Sequence, residues 1–75
     1  MIIYHIKDLM MRKSVETQKK ITYDTIETAT SISKVTLSRM ASQRGYNTSM
    51  SNIEKLCNYF NCSIDQLVTI VPENP

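Results

Sequence analysis

Two helix starts lie eleven residues apart, at Thr22 and Ser33, and their spacing constrains the fold more than any other feature of the chain. A Ser or Thr just outside a first turn accepts a hydrogen bond from a backbone N–H that has no partner within the helix. Each start is preceded by an isoleucine and followed four positions later by another aliphatic residue, pairing Ile21 with Ile26 and Ile32 with Leu37. Such pairs are hydrophobic staples that fix the angle at which the chain enters a helix. The stretch Thr22–Met40 therefore predicts two short helices joined by a tight turn. In the second, Ser33, Leu37, Met40, Ala41 and Arg44 share one side at 3.6-residue spacing, while Val35, Thr36, Ser38, Arg39, Ser42 and Gln43 fall opposite. The first side is placed to pack and the second to meet a ligand.

The rest of the chain supplies a scaffold. Ser51 and Glu54 have the spacing of a capping box ahead of an Ile53, Leu56, Cys57, Phe60 stripe, and Ser63 with Gln66 repeats the box before a last short helix. Gly45 is expected to end the preceding helix in a left-handed turn. A first helix is predicted from about Ile6 to Lys13, with Ile6, Leu9 and Met10 inward, followed by a mobile polar connection from Ser14 to Lys20. Residues 1–6 and 67–71 are rich in β-branched and aromatic side chains and are expected to meet as a short antiparallel ribbon. Methionines 10, 40 and 50 are expected to fill gaps between helices.

Composition narrows the function classes. Seventy-five residues suit one small domain, which buries on the order of 60–65% of the surface its unfolded chain exposes. An apolar content of 41% with one glycine and two prolines favours a compact helical fold. No apolar run reaches the length of a membrane span or a signal segment, so a cytoplasmic protein is expected. One histidine and two cysteines, Cys57 and Cys62, do not assemble four zinc ligands, and no phosphate-cradling glycine loop or plausible Ser-His-Asp set is present. The expectation is a non-enzymatic protein with no metal, no cofactor and no small-molecule ligand. The net charge of +2 is divided unevenly: residues 1–45 carry eight Lys/Arg against four Asp/Glu, whereas residues 46–75 carry one lysine against three carboxylates. A basic half suits a phosphate-binding surface, although a solvated face has the same composition.

With Thr22-Tyr23 opening one helix, Ile26 at a buried position, Ile32-Ser33 ending the turn and Leu37 with Met40 anchoring the next helix, the chain from about Ile6 to Leu67 resembles the Cro/repressor-type (XRE family) helix-turn-helix domains. Its later segments, Ser51–Phe60 and Cys62–Leu67, resemble the last two helices of that family. Three positions depart from the family pattern: Glu27 replaces the usual alanine facing the second motif helix, Ser31 the usual turn glycine, and Tyr23 the common glutamine. A carboxylate at 27 needs a partner, and Lys34 across the motif is a candidate.

The resemblance implies an all-α, five-helix lambda-repressor-like bundle over residues 1–75, with the motif at about 22–43. It implies a small bacterial or phage transcriptional regulator, a repressor, that binds double-stranded DNA as a homodimer and places helix 33–43 in the major groove. Lys34, Val35 and Arg39 would then approach base edges: Arg39 donating two bonds to guanine, Val35 packing on a thymine methyl, Lys34 bonding guanine or a phosphate. Tyr23 stands where the family clamps a phosphate. Thr36, Ser38 and Gln43 suit backbone or water-mediated contacts, and Arg44 and Asn47 the far side. Lys19-Lys20 is either a further phosphate contact or an ordinary solvated pair. The dimer surface is either the terminal ribbon or the last helix. The rival expectation is a helix-turn-helix fold used to bind a protein, such as an antitoxin-like partner or a subunit of a larger complex.

Overall fold

Thr22 and Ser33 each open a helix, as their spacing requires, in the computed structural model, which describes residues 1–72. The elements run in the order β1 (Ile2–Tyr4), α1 (Ile6–Thr17), α2 (Tyr23–Thr30), α3 (Lys34–Ser42), α4 (Met50–Phe60), α5 (Ile64–Leu67) and β2 (Val68–Ile70). The five helices enclose a core to which every element contributes except β2, whose Val68 is partly buried against it. Ile6, Ile26, Leu37, Leu56 and Leu67 are completely shielded from solvent, one from each helix in turn. The two motif staples close as expected, with Ile32 buried and Ile21 packed against the core.

The terminal ribbon also forms. β1 and β2 pair antiparallel, with Ile2 opposite Ile70, Ile3 opposite Thr69 and Tyr4 opposite Val68. The ladder continues past both ends, since the His5 N–H donates to the Leu67 carbonyl and the Val71 N–H to the Met1 carbonyl, each at 2.8 Å. Tyr4 turns inward and its hydroxyl donates to the Tyr46 carbonyl at 2.7 Å. Burial, followed by the neighbouring Tyr46, pushes the Tyr4 pKa above the usual tyrosine value. On the outer edge of β1 the Gly45 N–H donates to the Ile2 carbonyl at 2.8 Å. Gly45 has a φ of 73°, in the left-handed region that a glycine enters without a Cβ clash. The ribbon thus grips the turn that follows α3.

Three expectations require correction. The first helix does not stop at Lys13 but continues to Thr17, so the polar segment from Ser14 to Thr17 is helical. Its last turn is held by polar contacts: Arg12 bonds Glu16 one turn on at 3.2 Å, and the Thr17 hydroxyl donates to the Lys13 carbonyl at 2.8 Å. Lys13 itself crosses to α4, donating to the Tyr59 carbonyl at 3.0 Å with its ammonium 4.5 Å from the Tyr59 ring centre. Second, α4 is capped by Ser49, which accepts from the Asn52 N–H at 3.1 Å, so Ser51 and Glu54 lie within the helix instead of forming its box. The earlier start puts Met50 at the first helical position, 70% exposed, where it fills no gap between helices. Third, on α3 the cap Ser33 and the following Arg44 are exposed, while Thr36 is half-buried. The expected box ahead of α5 is present, its return arm running from the Ser63 N–H to Gln66 Oε1 at 3.0 Å. Cys57 and Cys62 are free, half-buried thiols, and burial raises the Cys62 pKa.

Candidate nucleic-acid interface

The tightness of the turn between α2 and α3 decides what α3 can present. Thr22 accepts from the Thr25 N–H at 3.2 Å while its own N–H donates to Thr25 Oγ1 at 3.3 Å, which makes a reciprocal capping box from two threonines. At the other end of α2, Ser31 takes a left-handed φ of 65° and donates its N–H to the Glu27 carbonyl at 2.8 Å. This is the position where the resemblance expected glycine, and serine adopts the glycine conformation there. The Ile32 N–H donates to Thr30 Oγ1 at 3.2 Å, and Ser33 then caps α3 by accepting from the Thr36 N–H at 3.1 Å. Three residues therefore reverse the chain, with the N–H groups of Ser31 and Ile32 and the Ser33 hydroxyl engaged.

Glu27 has a partner, but a different one from Lys34's side chain. Its Oε2 accepts from the Lys34 backbone N–H at 3.1 Å, so the carboxylate acts as a second cap on the first turn of α3. A negative charge at a helix N-terminus is favourable because the unpaired N–H groups there carry partial positive charge. The Lys34 ammonium instead reaches Asp24 Oδ1 at 2.8 Å. The hydrogen bond that the ammonium donates to Asp24, then the charges of Asp24 and Glu27, raise the Lys34 pKa. Two carboxylates and one ammonium thus meet at the start of α3, leaving that end with a local charge of −1. The other end is basic: Arg39 lies in the last turn and Arg44 two residues beyond it. Among the described residues neither has an ion-pair partner.

Between those ends, Leu37 and Met40 face the core and the outer side is exposed. Val35 is 58% exposed, and Ser38, Arg39, Ser42 and Gln43 share its exposure. Ser42 is partly committed, donating to the Ser38 carbonyl at 2.8 Å, and Thr36 Oγ1 lies 2.9 Å from the Ser33 hydroxyl. Val35, Ser38 and Arg39 therefore form one surface with uncommitted side chains. Lys34 stands at its edge, held by Asp24. Tyr23 opens α2 and is half-buried against the core. Gln43 and Arg44 line a shallow hollow with Ile3, beside the start of the ribbon. Asn47 is drawn elsewhere, onto an apolar groove with Ile2, Met50, Ile64 and Val68. Lys19 and Lys20 are exposed in the connection between α1 and α2.

Asp24 was missed by sequence reasoning, although the signal was present. Asp24 and Glu27 are one turn apart on α2, a spacing that puts both carboxylates on one face. Among the described residues no group of three or more His, Cys, Asp or Glu side chains is placed to hold a metal ion, and no helix is long and apolar enough to cross a membrane.

Comparison with curated proteins and with solved structures gave no match. The model of a protein family, described as the Cro/C1-type HTH DNA-binding domain, matches residues 5–73, which takes in all five helices and both motif staples. The capped helices, the three-residue turn and the exposed outer side of α3 are thus explained together: the chain belongs to the Cro/C1-type helix-turn-helix DNA-binding family.

Proposed function

We propose that the chain is a sequence-specific transcriptional regulator, acting as a repressor, that lays α3 in the major groove of double-stranded DNA. The observation that carries this reading is the uncommitted outer side of α3, where Val35, Ser38 and Arg39 stand exposed on a helix whose first turn is fixed by Ser33 and Glu27. Arg39 supplies the bidentate donor for guanine O6 and N7, and Val35 the apolar contact for a thymine methyl. Lys34, expected beside them from the sequence, stays paired with Asp24 at the edge of this surface and is assigned no base. Tyr23, Thr36, Ser38, Gln43, Arg44 and Asn47 are assigned to the backbone flanking the site. Repression follows from occupancy, because a protein seated on its operator shields that DNA from other factors.

One motif spans only a few base pairs, so useful affinity calls for a homodimer with its two reading helices roughly 34 Å apart. The ribbon and α5, separate candidates in the sequence, border a single groove of about 140 Å³, with Met50 and Ile64 exposed at its rim. The same apolar face supports the second reading, in which the fold binds a different protein. Selection of bound sequences from a randomised duplex pool at moderate salt tests both. Enrichment of paired half-sites about ten base pairs apart is expected, and Arg39→Ala should relax preference at one position at a cost of about 1–3 kcal/mol. A folded protein that enriches nothing would overturn the DNA reading in favour of the protein partner.

A further inference from the structure

The start of α3 is unlike an anion-binding helix end. Its first N–H is occupied by Glu27, and its one cation, Lys34, is turned back onto Asp24. A phosphate approaching this end therefore meets a net negative charge, whereas one approaching the other end meets Arg39 and Arg44. We propose that Asp24 is a specificity-determining residue: by holding the Lys34 ammonium off the phosphates, it lowers affinity for DNA of arbitrary sequence more than affinity for the operator. This rests on the proposed reading that α3 meets duplex DNA.

The pair has little structural work to do. Both side chains are largely exposed, at 53% for Lys34 and 73% for Asp24, and exposed ion pairs add little to stability. Beside a polyanion the consequence is larger. Each cation placed on a phosphate releases condensed counterions whatever the sequence, and this term weighs more on arbitrary DNA, where the protein can shift to whichever seating gives a free lysine a phosphate, than on the operator, where base contacts fix its seating. A lysine spent on Asp24 contributes nothing to that term. Opening the pair to free it would leave Asp24 and Glu27 facing the DNA uncompensated. Binding must then draw more on the outer side of α3, where base edges are read, and less on undirected attraction. The ratio between operator and scrambled DNA rises accordingly.

The test compares the wild type with Asp24→Asn, Lys34→Ala and the double variant. The probes are a fluorescein-labelled scrambled duplex of about 20 base pairs and the duplex recovered from the selection, titrated across about 0.05–0.3 M salt. Asp24→Asn is expected to bind the scrambled duplex about fivefold more tightly near 0.15 M, with a salt slope steeper by about 0.9, the value of one added phosphate contact. Its preference for the recovered duplex should fall. Both the gain and the steeper slope should vanish when Lys34→Ala is added. An unchanged slope in Asp24→Asn overturns the proposal, as does an equal gain in the absence of Lys34, which would mean simple removal of a negative charge. A change of base preference confined to one position in Lys34→Ala also overturns it, because Lys34 would then be reading a base. If neither the wild type nor Asp24→Asn binds any duplex at the lowest salt while both melt as folded proteins, the DNA reading itself fails. That result is distinct from a wild type that binds and a variant that binds identically.

Discussion

Between Thr22 and Ser42 the polar side-chain contacts join residues at most ten apart in sequence, whereas the side-chain bond across the terminal ribbon, from His5 to Thr69 at 2.6 Å, joins residues sixty-four apart. The helix-turn-helix is assembled from neighbours: two threonines that cap each other, a serine that caps α3, a carboxylate that reaches across one turn. The ribbon gathers the two ends of the described chain onto the same core. Local contacts close short loops at small entropic cost, while the ribbon must bring distant segments together before any of its bonds form. The difference separates two kinds of specification. The relative pose of α2 and α3 is written into about twenty consecutive residues, but the setting of the motif against the remaining fold depends on residues far from it.

The largest expected effect would break the contrast. Leu37 is wholly buried and forms a staple with Ile32, so Leu37→Ala should cost about 2–5 kcal/mol in denaturant unfolding. Amide protection should fall in the motif and in the ribbon together, because both lean on one core. Protection retained in either region would show that it stands alone. A smaller change sharpens the contrast from the motif side. Glu27→Ala removes the carboxylate that accepts from the Lys34 N–H and should cost about 1 kcal/mol, with lost protection confined to the first turn of α3.

Tyr4→Phe probes the ribbon side. It deletes the bond to the Tyr46 carbonyl and should cost about 1 kcal/mol. It should also alter the alkaline limb of the stability profile. Because the folded-state pKa of Tyr4 is raised, its neutral form favours folding; that contribution is complete below the ordinary tyrosine pKa of 10.0 and is lost as pH rises through the folded value. The variant should therefore lose less stability than the wild type in melts taken above pH 10. The smallest effect is a gain. Ser31 holds a left-handed φ that costs a non-glycine residue strain, so Ser31→Gly should raise stability by about 0.5 kcal/mol, measurable as a shift in the denaturation midpoint.

Legibility in the sequence followed the same division. Thr22 and Ser33 announced themselves because caps and staples are short-range patterns, the ribbon came from the β-branched ends, and the five-helix bundle came from the family resemblance. The end of α1 was misplaced because its last turn contains no inward apolar residue; Val15 is 74% exposed, and Arg12 with Glu16 holds the turn. The start of α4 was misread because Ser49 and Ser51 offer equal hydroxyls and Glu54 gives the second the appearance of a box. The cap is settled by a further bond, from the Asn52 side-chain amide to Thr48 Oγ1 at 3.0 Å. Of the residues expected at the interface, Val35, Ser38 and Arg39 emerged on a common surface from helical spacing alone. The partner of Lys34 did not, since two carboxylates one turn apart are equivalent in one dimension and only the packing of α2 on α3 decides which one the ammonium reaches.

The bond from the Gly45 N–H to the Ile2 carbonyl carries a consequence for biosynthesis. Ile2 can offer that carbonyl from a fixed position only after β1 is held by β2, whose residues are made after those of all five helices. On the ribosome, α2 and α3 can dock as soon as they emerge, yet the turn beyond α3 has no strand to lean on until residue 70 has cleared the exit tunnel. A nascent chain would thus carry a formed α3 with an unanchored far end. The finished geometry arrives only once β2 has emerged, so a nascent copy still lacking β2 holds the far end of α3 less firmly than the folded domain does.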